Sequence, residues 1–468
     1  MNAPYSKRVQ RAWSFYDWAN SVYALVISTA IFPIFYNEVT KTNVQVVRDK
    51  VLGEDVEVAV VEAFGMEFVN TELYSYAISF SLLLVALLSP LLSGIADYAG
   101  KKKFFLKVFC YLGSLACMAL WWFDPQHLEL SMLVLVLASM GYWSSLVFYN
   151  SYLPDIAPKA EHDQLSARGF AMGYVGSVIL LVINLIMVQV FDIDARWCFL
   201  MVGVWWLGFA QITLRRIPDN PYNHKGQGKL ITKGFEELRM VFWDAWNARR
   251  LWWYLVAFFV LSMGVQTVML MAQFFGIKAI VRIDENGNEV VGMETGELIV
   301  AIILVQLIAI PGAFLFSWMA KKLGNVQSLM VAMCCWIAVC CWAFFAVHTP
   351  SEFWAAASCI GFIMGGTQSL SRSTYSKFLP ETEDTTSYFS FFDVLEKYGI
   401  IIGTFSFGFI EGWTGTIRNS VLALIVFFVI ALILLKVVPK EERFLAPREE
   451  VKRRRQRQKK RQRGVAAE

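Results

Sequence analysis

Six ionisable residues lie inside long apolar stretches of this sequence, where an unpaired charge is strongly disfavoured. They are Asp17, Lys107, Arg372, Asp393, Glu396 and Lys397, and Arg168 and Glu411 lie at the ends of such stretches. Asp393 and Lys397 are four residues apart, the spacing at which side chains meet on one face of a helix. Carboxylates and cations in this setting form ion pairs or relay protons, and these are the functions we expect of them.

The sequence lacks the residue patterns of common enzymes and metal sites. It contains no GxxxxGK[ST] phosphate loop, no nucleophile elbow, and no CxxC or clustered His/Cys spacing. All eight cysteines lie within apolar stretches, which is typical of small buried side chains. We therefore expect no enzymatic activity, no cofactor and no metal.

Composition defines the class of protein that must position these charges. Of the 468 residues, 57% are hydrophobic and 17% are charged, whereas a soluble domain has roughly 25% charged residues. The apolar residues form blocks of about 20 or more, long enough to cross a bilayer as helices. A soluble enzyme and a nucleic-acid-binding module are excluded, and the fold class is an all-α polytopic membrane protein.

Hydropathy predicts twelve membrane spans that form two halves of six. The predicted spans are 13–36, 73–97, 104–123, 130–154, 168–191, 195–215, 251–281, 295–320, 326–347, 353–379, 386–411 and 417–438. The corresponding units are an N-terminal six-helix bundle (1–215), a cytoplasmic linker (216–250), a C-terminal six-helix bundle (251–438) and a basic tail (439–468).

The distribution of basic residues predicts the orientation of these spans. With residues at span ends assigned to the adjacent loops, 32 of the 42 Lys and Arg fall on the side of the termini and 7 on the other. Basic residues accumulate in cytoplasmic loops. We therefore expect both termini in the cytoplasm of a bacterial inner membrane.

Four segments outside the spans carry further signals. The loop 37–72 is acidic and rich in Val, and the stretch from Ile280 to Val291 alternates around Asn286-Gly287, so each favours a hairpin. From Lys233 to Trp246 an amphipathic interfacial helix is predicted, with Phe235, Leu238, Val241 and Phe242 on one face. The stretch from Lys452 to Arg463 is basic, and we expect it to lie disordered against anionic lipid rather than to bind nucleic acid.

An internal repeat supports the division into halves. The residues that end the fourth span recur 226 positions later at the end of the tenth. They are Tyr149, Leu153, Pro154 and Asp155, matched by Tyr375, Leu379, Pro380 and Glu381. Two related halves with a solute path between them are a common transporter plan.

The loop after the second span resembles the signature loop of the major facilitator superfamily. Asp97, Gly100, Lys101 and Lys102 match that pattern, although Ser93 stands where the family usually has Gly. The resemblance implies that Asp97 docks near a helix terminus of the other half and holds a cytoplasmic gate shut. A carboxylate is stabilised at the positive end of a helix dipole, so the geometry is physically reasonable.

A second resemblance covers nearly the whole chain. The segments WSFYDWANSVY (13–23), YNSYLPDIA (149–157), SARGFAMGYVG (166–176), GGTQSLSRS (365–373) and SFFDVLEKYG (390–399) are similar to the vacuole-effluxer family. That family is related to the autophagy-related amino-acid effluxers of fungal vacuoles. The resemblance implies a secondary transporter of the major facilitator fold that moves a small solute by alternating access.

The resemblance leaves the solute and the coupling open. An amino-acid-like solute, the efflux direction and proton coupling are one interpretation, and sugars or drugs are another. A non-transporting sensor or a lipid-handling protein on the same scaffold is a different class of function. In each case we expect a monomer.

The candidate site residues fall into two sets. The expected gate network lies in the cytoplasmic half of the membrane and consists of Asp17, Asp97, Gly100, Lys101, Arg372, Asp393, Glu396 and Lys397. Its charges favour a latch that closes the gate, a proton-coupling site, or structural pairs. The expected solute contacts are polar and neutral: Asn20, Tyr23, Tyr142, Asn150, Gln266, Gln306 and Gln368. Such groups also bond between packed helices.

The topology can be tested with reporter fusions. We expect a fusion at residue 60 and a fusion within 216–250 to report opposite sides of the membrane, because an odd number of spans separates them. Enzymatic reporters with compartment-dependent activity measure this directly, and the same side for both would contradict the twelve-span topology.

Overall fold

The computed structural model describes residues 6–41, 44–48, 55–219, 230–283 and 289–440, and it is mainly helical. The predicted Asn286-Gly287 turn and residues 441–468 of the basic tail lie outside these ranges. The helices of the first half are α1 (Lys7–Val22), α2 (Phe32–Thr40), α3 (Asn70–Ala99), α4 (Lys102–Ala119), α5 (Leu128–Asn150), α6 (Leu153–Ile156), α7 (His162–Gln189) and α8 (Arg196–Leu214).

A helix in the linker precedes the second half. This helix is α9 (Leu230–Asn247). The helices of the second half are α10 (Arg249–Ala279), α11 (Thr295–Leu323), α12 (Asn325–Ala346), α13 (Pro350–Phe378), α14 (Thr385–Thr414) and α15 (Ile417–Val437).

Each of the twelve predicted spans coincides with a helical rod, and their ends agree to within about six residues. In the described part of the chain, ten rods are both long and apolar enough to cross a membrane. The two others, α13 and α14, have 29 and 30 residues and are more polar. They are more polar because α13 carries Arg372 and α14 carries the charged residues Asp393, Glu396 and Lys397.

The first rod changes helix type in its middle. Between α1 and α2 the residues Tyr23–Ala30 form a π-helix, in which the Ile31 N–H donates to the Val26 carbonyl five residues earlier. The Thr29 hydroxyl donates to the Ala24 carbonyl with the same spacing, at 2.9 Å. The wider turn lies directly after the helix that carries Asp17, and such turns are frequent at functional sites.

The strands lie at one end of the rods, which we call the sheet side. Strands β1 (Val44–Arg48), β2 (Asp55–Ala63) and β3 (Met66–Val69) form an antiparallel sheet with the order β1-β2-β3. The loop 37–72 therefore holds three strands where the sequence suggested a hairpin. The third strand follows a two-residue turn, Phe64-Gly65, whose φ angles are both positive (54° and 70°), and the sequence signal Asn-Gly or Asp-Gly is absent from it.

The second predicted hairpin is confirmed. Strands β4 (Val281–Ile283) and β5 (Glu289–Val291) pair antiparallel, with Val281 opposite Val291. The Arg282 guanidinium lies 2.6 Å from a Glu294 carboxylate oxygen and ties the hairpin to the start of α11.

The opposite end, which we call the linker side, carries α9. This helix packs along α3, where a Cβ built on Gly94 would lie only 2.4 Å from the Gly234 carbonyl oxygen. The predicted apolar face is divided by this contact: Val241 is fully buried, whereas Phe235 and Phe242 are exposed. The apolar pattern of the sequence could not show which of these residues are buried. Contact with protein and contact with lipid both favour apolar residues, so the two parts of the face look alike in sequence.

Buried hydrophobic residues form two cores. One core is built from α1 to α8, and the other is built almost entirely from α9 to α15. Five pairs of described helices pack across the division between the halves: α3 with α14, α5 with α14, α6 with α13, α7 with α11 and α7 with α13. The two cores are consistent with the predicted division into bundles, and the five pairs form the interface between the halves.

Helices α11 and α13 approach so closely that only glycine fits between them. A Cβ at Gly365 would lie 2.1 Å from the Ala309 carbonyl oxygen, and a Cβ at Gly361 would lie 2.3 Å from that of Val305. Two glycines four residues apart are a common means of packing membrane helices.

We expect Gly365→Leu to lower the free energy of unfolding by more than about 1–3 kcal/mol, which is the usual effect of overpacking a core. The atoms opposite Gly365 are backbone atoms of α11, and these cannot move aside as a flexible side chain can. A thermal unfolding curve in detergent measures the loss. Gly408 is exposed and has no atom within 4 Å of a built Cβ, so Gly408→Leu is the matched control and should leave the unfolding temperature unchanged or slightly raised. Equal unfolding temperatures for the two variants would contradict the close contact.

Candidate functional site

A buried ion pair joins the first rod to the second half. The Asp17 carboxylate on α1 accepts hydrogen bonds from both terminal nitrogens of the Arg372 guanidinium on α13, each at 3.2 Å. The Tyr149 hydroxyl donates to the same carboxylate oxygen at 2.8 Å. Asp17 and Arg372 are 5% and 3% exposed, so each charge depends on the other for compensation.

The remaining donors of Arg372 are also used. Its Nε donates to the Ser166 hydroxyl and its Nη2 to the Ser166 carbonyl, both at 2.9 Å, while Nη1 reaches the Asn150 amide oxygen at 3.1 Å. The guanidinium lies over the Phe170 ring at 4.2 Å and the Trp13 ring at 4.9 Å. Arginine suits this place because its planar fork bonds in several directions and stacks on aromatic faces.

The sequence around Asp17 folds so as to make room for this pair. Trp13 stacks on Tyr149 with ring centroids 4.5 Å apart, and its indole N–H donates to the Tyr149 carbonyl at 2.9 Å. A Cβ at Gly169 would lie 2.3 Å from an Asp17 carboxylate oxygen and 2.9 Å from an Arg372 nitrogen. Gly169 is thus a position where any side chain would displace the ion pair.

Asp97 reaches the other half at the linker side. Its carboxylate accepts hydrogen bonds from the backbone N–H groups of Thr386 (3.2 Å) and Ser387 (2.6 Å), in the first turn of α14. These N–H groups have no partner within the helix, and the helix dipole favours a negative charge there. Gly100 ends α3 in the left-handed region at φ 65°, and this turn positions the loop beside α14.

A buried lysine completes this contact, and of the two lysines in the motif it is Lys102. The Lys102 ammonium lies 2.6 Å from an Asp155 carboxylate oxygen and donates to the Thr385 hydroxyl at 2.5 Å. The Lys101 side chain is exposed. Because α4 begins at Lys102, this residue points into the bundle while Lys101, in the turn before it, points outward. The buried cation of this contact is therefore Lys102, while Lys101 of the predicted set lies at the surface.

A further contact between the halves at the linker side was not predicted from the sequence. At the start of α7 the Asp163 carboxylate pairs with the Lys377 ammonium of α13 and accepts a hydrogen bond from the Asn325 amide at 2.7 Å. His162 lies beside it and bonds the Ser376 hydroxyl at 3.0 Å. The sequence shows an Asp in the first turn of α7 and a Lys in the last turn of α13, but it does not show that the two meet. They form a pair only because α7 packs against α13.

The charged face of α14 forms a separate centre. Lys397 is fully buried, pairs with Asp393 and lies 3.6 Å from a Glu396 carboxylate oxygen. Its ammonium lies 3.9 Å from the centre of the Trp143 ring on α5, in the other half. Glu396 accepts a hydrogen bond from the Gln266 amide at 2.7 Å. Of the predicted network, the charges on α1, α13 and α14 thus lie in two groups, one around Arg372 and one around Lys397.

The expected solute contacts are distributed among these groups. Asn150 and Gln266 bond charged residues, as described above, while Gln368 accepts from the Tyr174 hydroxyl of the other half at 2.8 Å. The remaining four side chains of this set are aromatic or have a buried amide atom without a partner among the described residues. Tyr23 and Tyr142 stack at 4.7 Å, and the Asn20 amide nitrogen is buried without a partner.

Gln306 lies on α11 and resembles Asn20 in one respect. Its amide oxygen is buried and has no hydrogen-bond partner in the described part of the chain. A buried amide without a partner is rare in folded proteins. Both residues therefore offer hydrogen-bonding capacity that a bound molecule or an ordered water could use.

The hydrogen bonds between the halves in the described residues lie in the middle of the membrane or at the linker side. They include the contacts centred on Arg372, Asp97 and Asp163 and the bond between Tyr174 and Gln368. At the linker side, polar contacts between described residues therefore hold the two halves together.

Twelve rods in two halves that close through such contacts define a class: a transporter of the major facilitator fold. The solved structure of the transporter FucP in its outward conformation superimposes with a TM-score of 0.66 at 15% identity, covering 94% of this chain and 100% of that one. The proton:xylose symporter XylE gives a TM-score of 0.67 at 13% identity, with 97% and 99% covered. Likeness at this identity establishes the fold.

The chain belongs to the family described as "Vacuole effluxer Atg22 like", whose model matches residues 5–444. It is 27% identical over 441 residues to the MFS-type transporter YxiO of Bacillus subtilis, covering 92% of this chain and 95% of YxiO. It is 22% identical to Autophagy-related protein 22-1 of Penicillium rubens, with 94% and 91% covered. The protein is thus an integral membrane protein of a transporter family and not an enzyme.

The buried pair can be measured with a double-mutant cycle. We expect Asp17→Asn and Arg372→Gln each to lower stability by about 3–5 kcal/mol, because each leaves an uncompensated buried charge. The double variant should be more stable than the sum of the two losses predicts, with a coupling energy of about 1–3 kcal/mol. Unfolding in detergent provides the measurement. Strictly additive losses would show that the two groups do not interact.

Proposed function

We propose that this protein is a secondary active transporter that moves a small solute by alternating access of its two halves. The observation that carries the proposal is the set of contacts at the linker side: Asp97 on the first turn of α14, Lys102 with Asp155, and Asp163 with Lys377. All are polar, and each needs only water to replace its partner. Structural interfaces between membrane helices rely mainly on small residues and neutral polar side chains, whereas these contacts are made by charged groups.

The orientation of the protein follows from the count of basic residues. The linker side, which carries most of the Lys and Arg, is the cytoplasmic side, and the sheet side faces outward. The described state is then closed toward the cytoplasm. The host membrane is the bacterial inner membrane, and each half supplies one wall of the solute path within a monomer.

The charged face of α14, which we call the central site, favours a zwitterionic, amino-acid-like solute. Glu396 and Lys397 present both signs of charge on one face of α14, and Lys397 is completely buried. A solute that carries a carboxylate and an ammonium can exchange with both partners without leaving a buried charge. Asn20 and Gln306, whose buried amide atoms lack partners, would bond its remaining polar atoms. The efflux direction that we propose rests on the family description as a vacuole effluxer.

Proton coupling would act on the same carboxylates. One oxygen of Asp393 bonds Lys397, and the other is buried without a partner among the described residues. Protonation of Asp393 or Asp17 removes one charge of a buried pair and weakens its hold on the cation. A proton gradient would thereby bias the population of the closed and open states.

Substitutions of the paired charged residues should slow transport and change how readily water and solutes enter from the linker side. We expect Arg372→Ala and Asp393→Asn each to slow flux in proteoliposomes at least tenfold, since a loss of about 1.4 kcal/mol in the closed state already changes the equilibrium tenfold. Asp97→Asn should shift the protein toward the open form, because it removes the charge from the α14 N-terminus. Flux of labelled neutral amino acids, with sugars as the comparison and with or without a pH gradient, is the measurement.

Accessibility of a cysteine reports the shift independently of flux. Ser151 is fully buried and lies 3.4 Å from the Thr386 hydroxyl of the other half. In a cysteine-free background, Ser151→Cys should react slowly with a membrane-impermeant thiol reagent and faster when Asp97→Asn is added. Asp192→Asn, at an exposed residue on the sheet side, is the control and should change neither rate. Normal flux and unchanged reactivity in the network variants would show that the charges are only structural.

A further inference from the structure

A pocket on the sheet side lies outside the solute path and has its own polar lining. It is formed between the end of α4 and the start of α8 and has a volume of about 270 Å³. Its lining residues combine aromatic rings with charged side chains: Trp121, Trp122, Phe123, Asp124, Asp194, Arg196 and Trp197. No part of the gate or of the central site contributes to it.

Two hydrogen-bond donors of this pocket are buried without a partner in the described structure. They are the indole N–H of Trp121 and the Nε–H of Arg196. The other guanidinium nitrogens are engaged, since Nη2 donates to the Phe123 carbonyl at 3.3 Å and Nη1 lies 3.6 Å from an Asp194 carboxylate oxygen. A buried donor without an acceptor costs about 1–3 kcal/mol, so the site favours a ligand that brings acceptor oxygens.

The pocket also attracts positive charge. Asp124 and Asp194 line it, and each uses one carboxylate oxygen to accept a nearby backbone N–H, from Gln126 and Arg196 respectively. Three tryptophans line the pocket together with these carboxylates. Trp121 contacts Trp122 at 5.3 Å and Trp197 at 5.8 Å, both edge to face. Tryptophan rings beside carboxylates are a favourable surface for an ammonium group.

The position of the pocket indicates that lipid reaches it. The outer faces of α4 and α8 are apolar and exposed, as shown by Leu115 (55%) and Val204 (56%). At the pocket α4 ends and α8 begins, and there Trp122 is 69% exposed and Trp197 is 44% exposed. Exposed tryptophans at the end of an apolar helix face lie at the level of the lipid headgroups.

We propose that this pocket binds the headgroup of a zwitterionic phospholipid from the outer leaflet. The phosphate oxygens accept the free N–H groups of Trp121 and Arg196, and the ammonium lies against the tryptophan rings and the two carboxylates. The acyl chains then run along the exposed faces of α4 and α8. A headgroup with both charges satisfies the donors and the carboxylates together, which neither a free phosphate nor an anionic lipid can do.

Lipid binding to the purified full-length protein tests this proposal. Native mass spectrometry in detergent should show one site for short-chain phosphatidylethanolamine or phosphatidylcholine, and weaker binding of phosphatidylglycerol. Trp121→Phe keeps the ring and removes the N–H, and Arg196→Lys keeps the charge and removes Nε. Each variant should bind the zwitterionic lipid about tenfold more weakly, because a hydrogen bond to a charged group is lost.

The matched control is Trp413→Phe, at a tryptophan that is 80% exposed near the end of α14 on the same side. It should bind the lipids as the unsubstituted protein does. Inorganic phosphate and phosphoethanolamine, added as competitors, distinguish a free anion from a lipid, and neither should displace the lipid at equal concentration. Displacement by inorganic phosphate, equal binding of phosphatidylglycerol, or unchanged binding by both variants would overturn the proposal.

Discussion

The pairing of Arg372 with Asp17 is the constraint on which the arrangement of the two halves depends. An isolated charge at that depth is unfavourable by several kcal/mol, so α13 must lie where its guanidinium meets the first helix. The surrounding residues conform to this requirement: Gly169 leaves the space, Ser166 accepts two donors, and Tyr149 orients the carboxylate. The contacts of Asp97 and Asp163 lie farther toward the linker side and close the remaining gap.

The internal repeat provides a symmetric scaffold, and the charges break that symmetry. Tyr149 and Tyr375 occupy equivalent positions in the two halves. The Tyr149 hydroxyl donates to the carboxylate of Asp17, whereas the Tyr375 hydroxyl donates to the backbone carbonyl of Tyr388 at 2.5 Å. The same residue thus serves the ion pair in the first half and fixes the start of α14 in the second. Because only one half contains the carboxylate, the two halves cannot exchange roles in the gate.

Sequence alone predicted what local periodicity determines. The twelve rods follow from length and hydropathy, and the docking of Asp97 near a helix terminus of the other half was implied by the resemblance of its loop to that of the major facilitator superfamily. Residues brought together only by packing escaped prediction. The choice of Lys102 over Lys101 depends on the rotation of α4, and the pairing of Asp163 with Lys377 depends on how α7 lies against α13. The burial of α9 on one flank likewise follows from the glycine contact with α3, which leaves no periodic signal.

The polarity of α13 and α14 has a consequence for the biosynthesis of the protein. A charge at the centre of a helix adds about 2.5–3.5 kcal/mol to the free energy of its insertion, and these two helices are the least apolar of the twelve. Asp17 and Arg372 are 355 residues apart, so the ribosome inserts the first helix long before its counter-ion exists. The late helices must therefore enter the bilayer beside partners that are already there. Although each half has a core of its own, the charges of Asp17 and Arg372 are compensated only when both halves are in place.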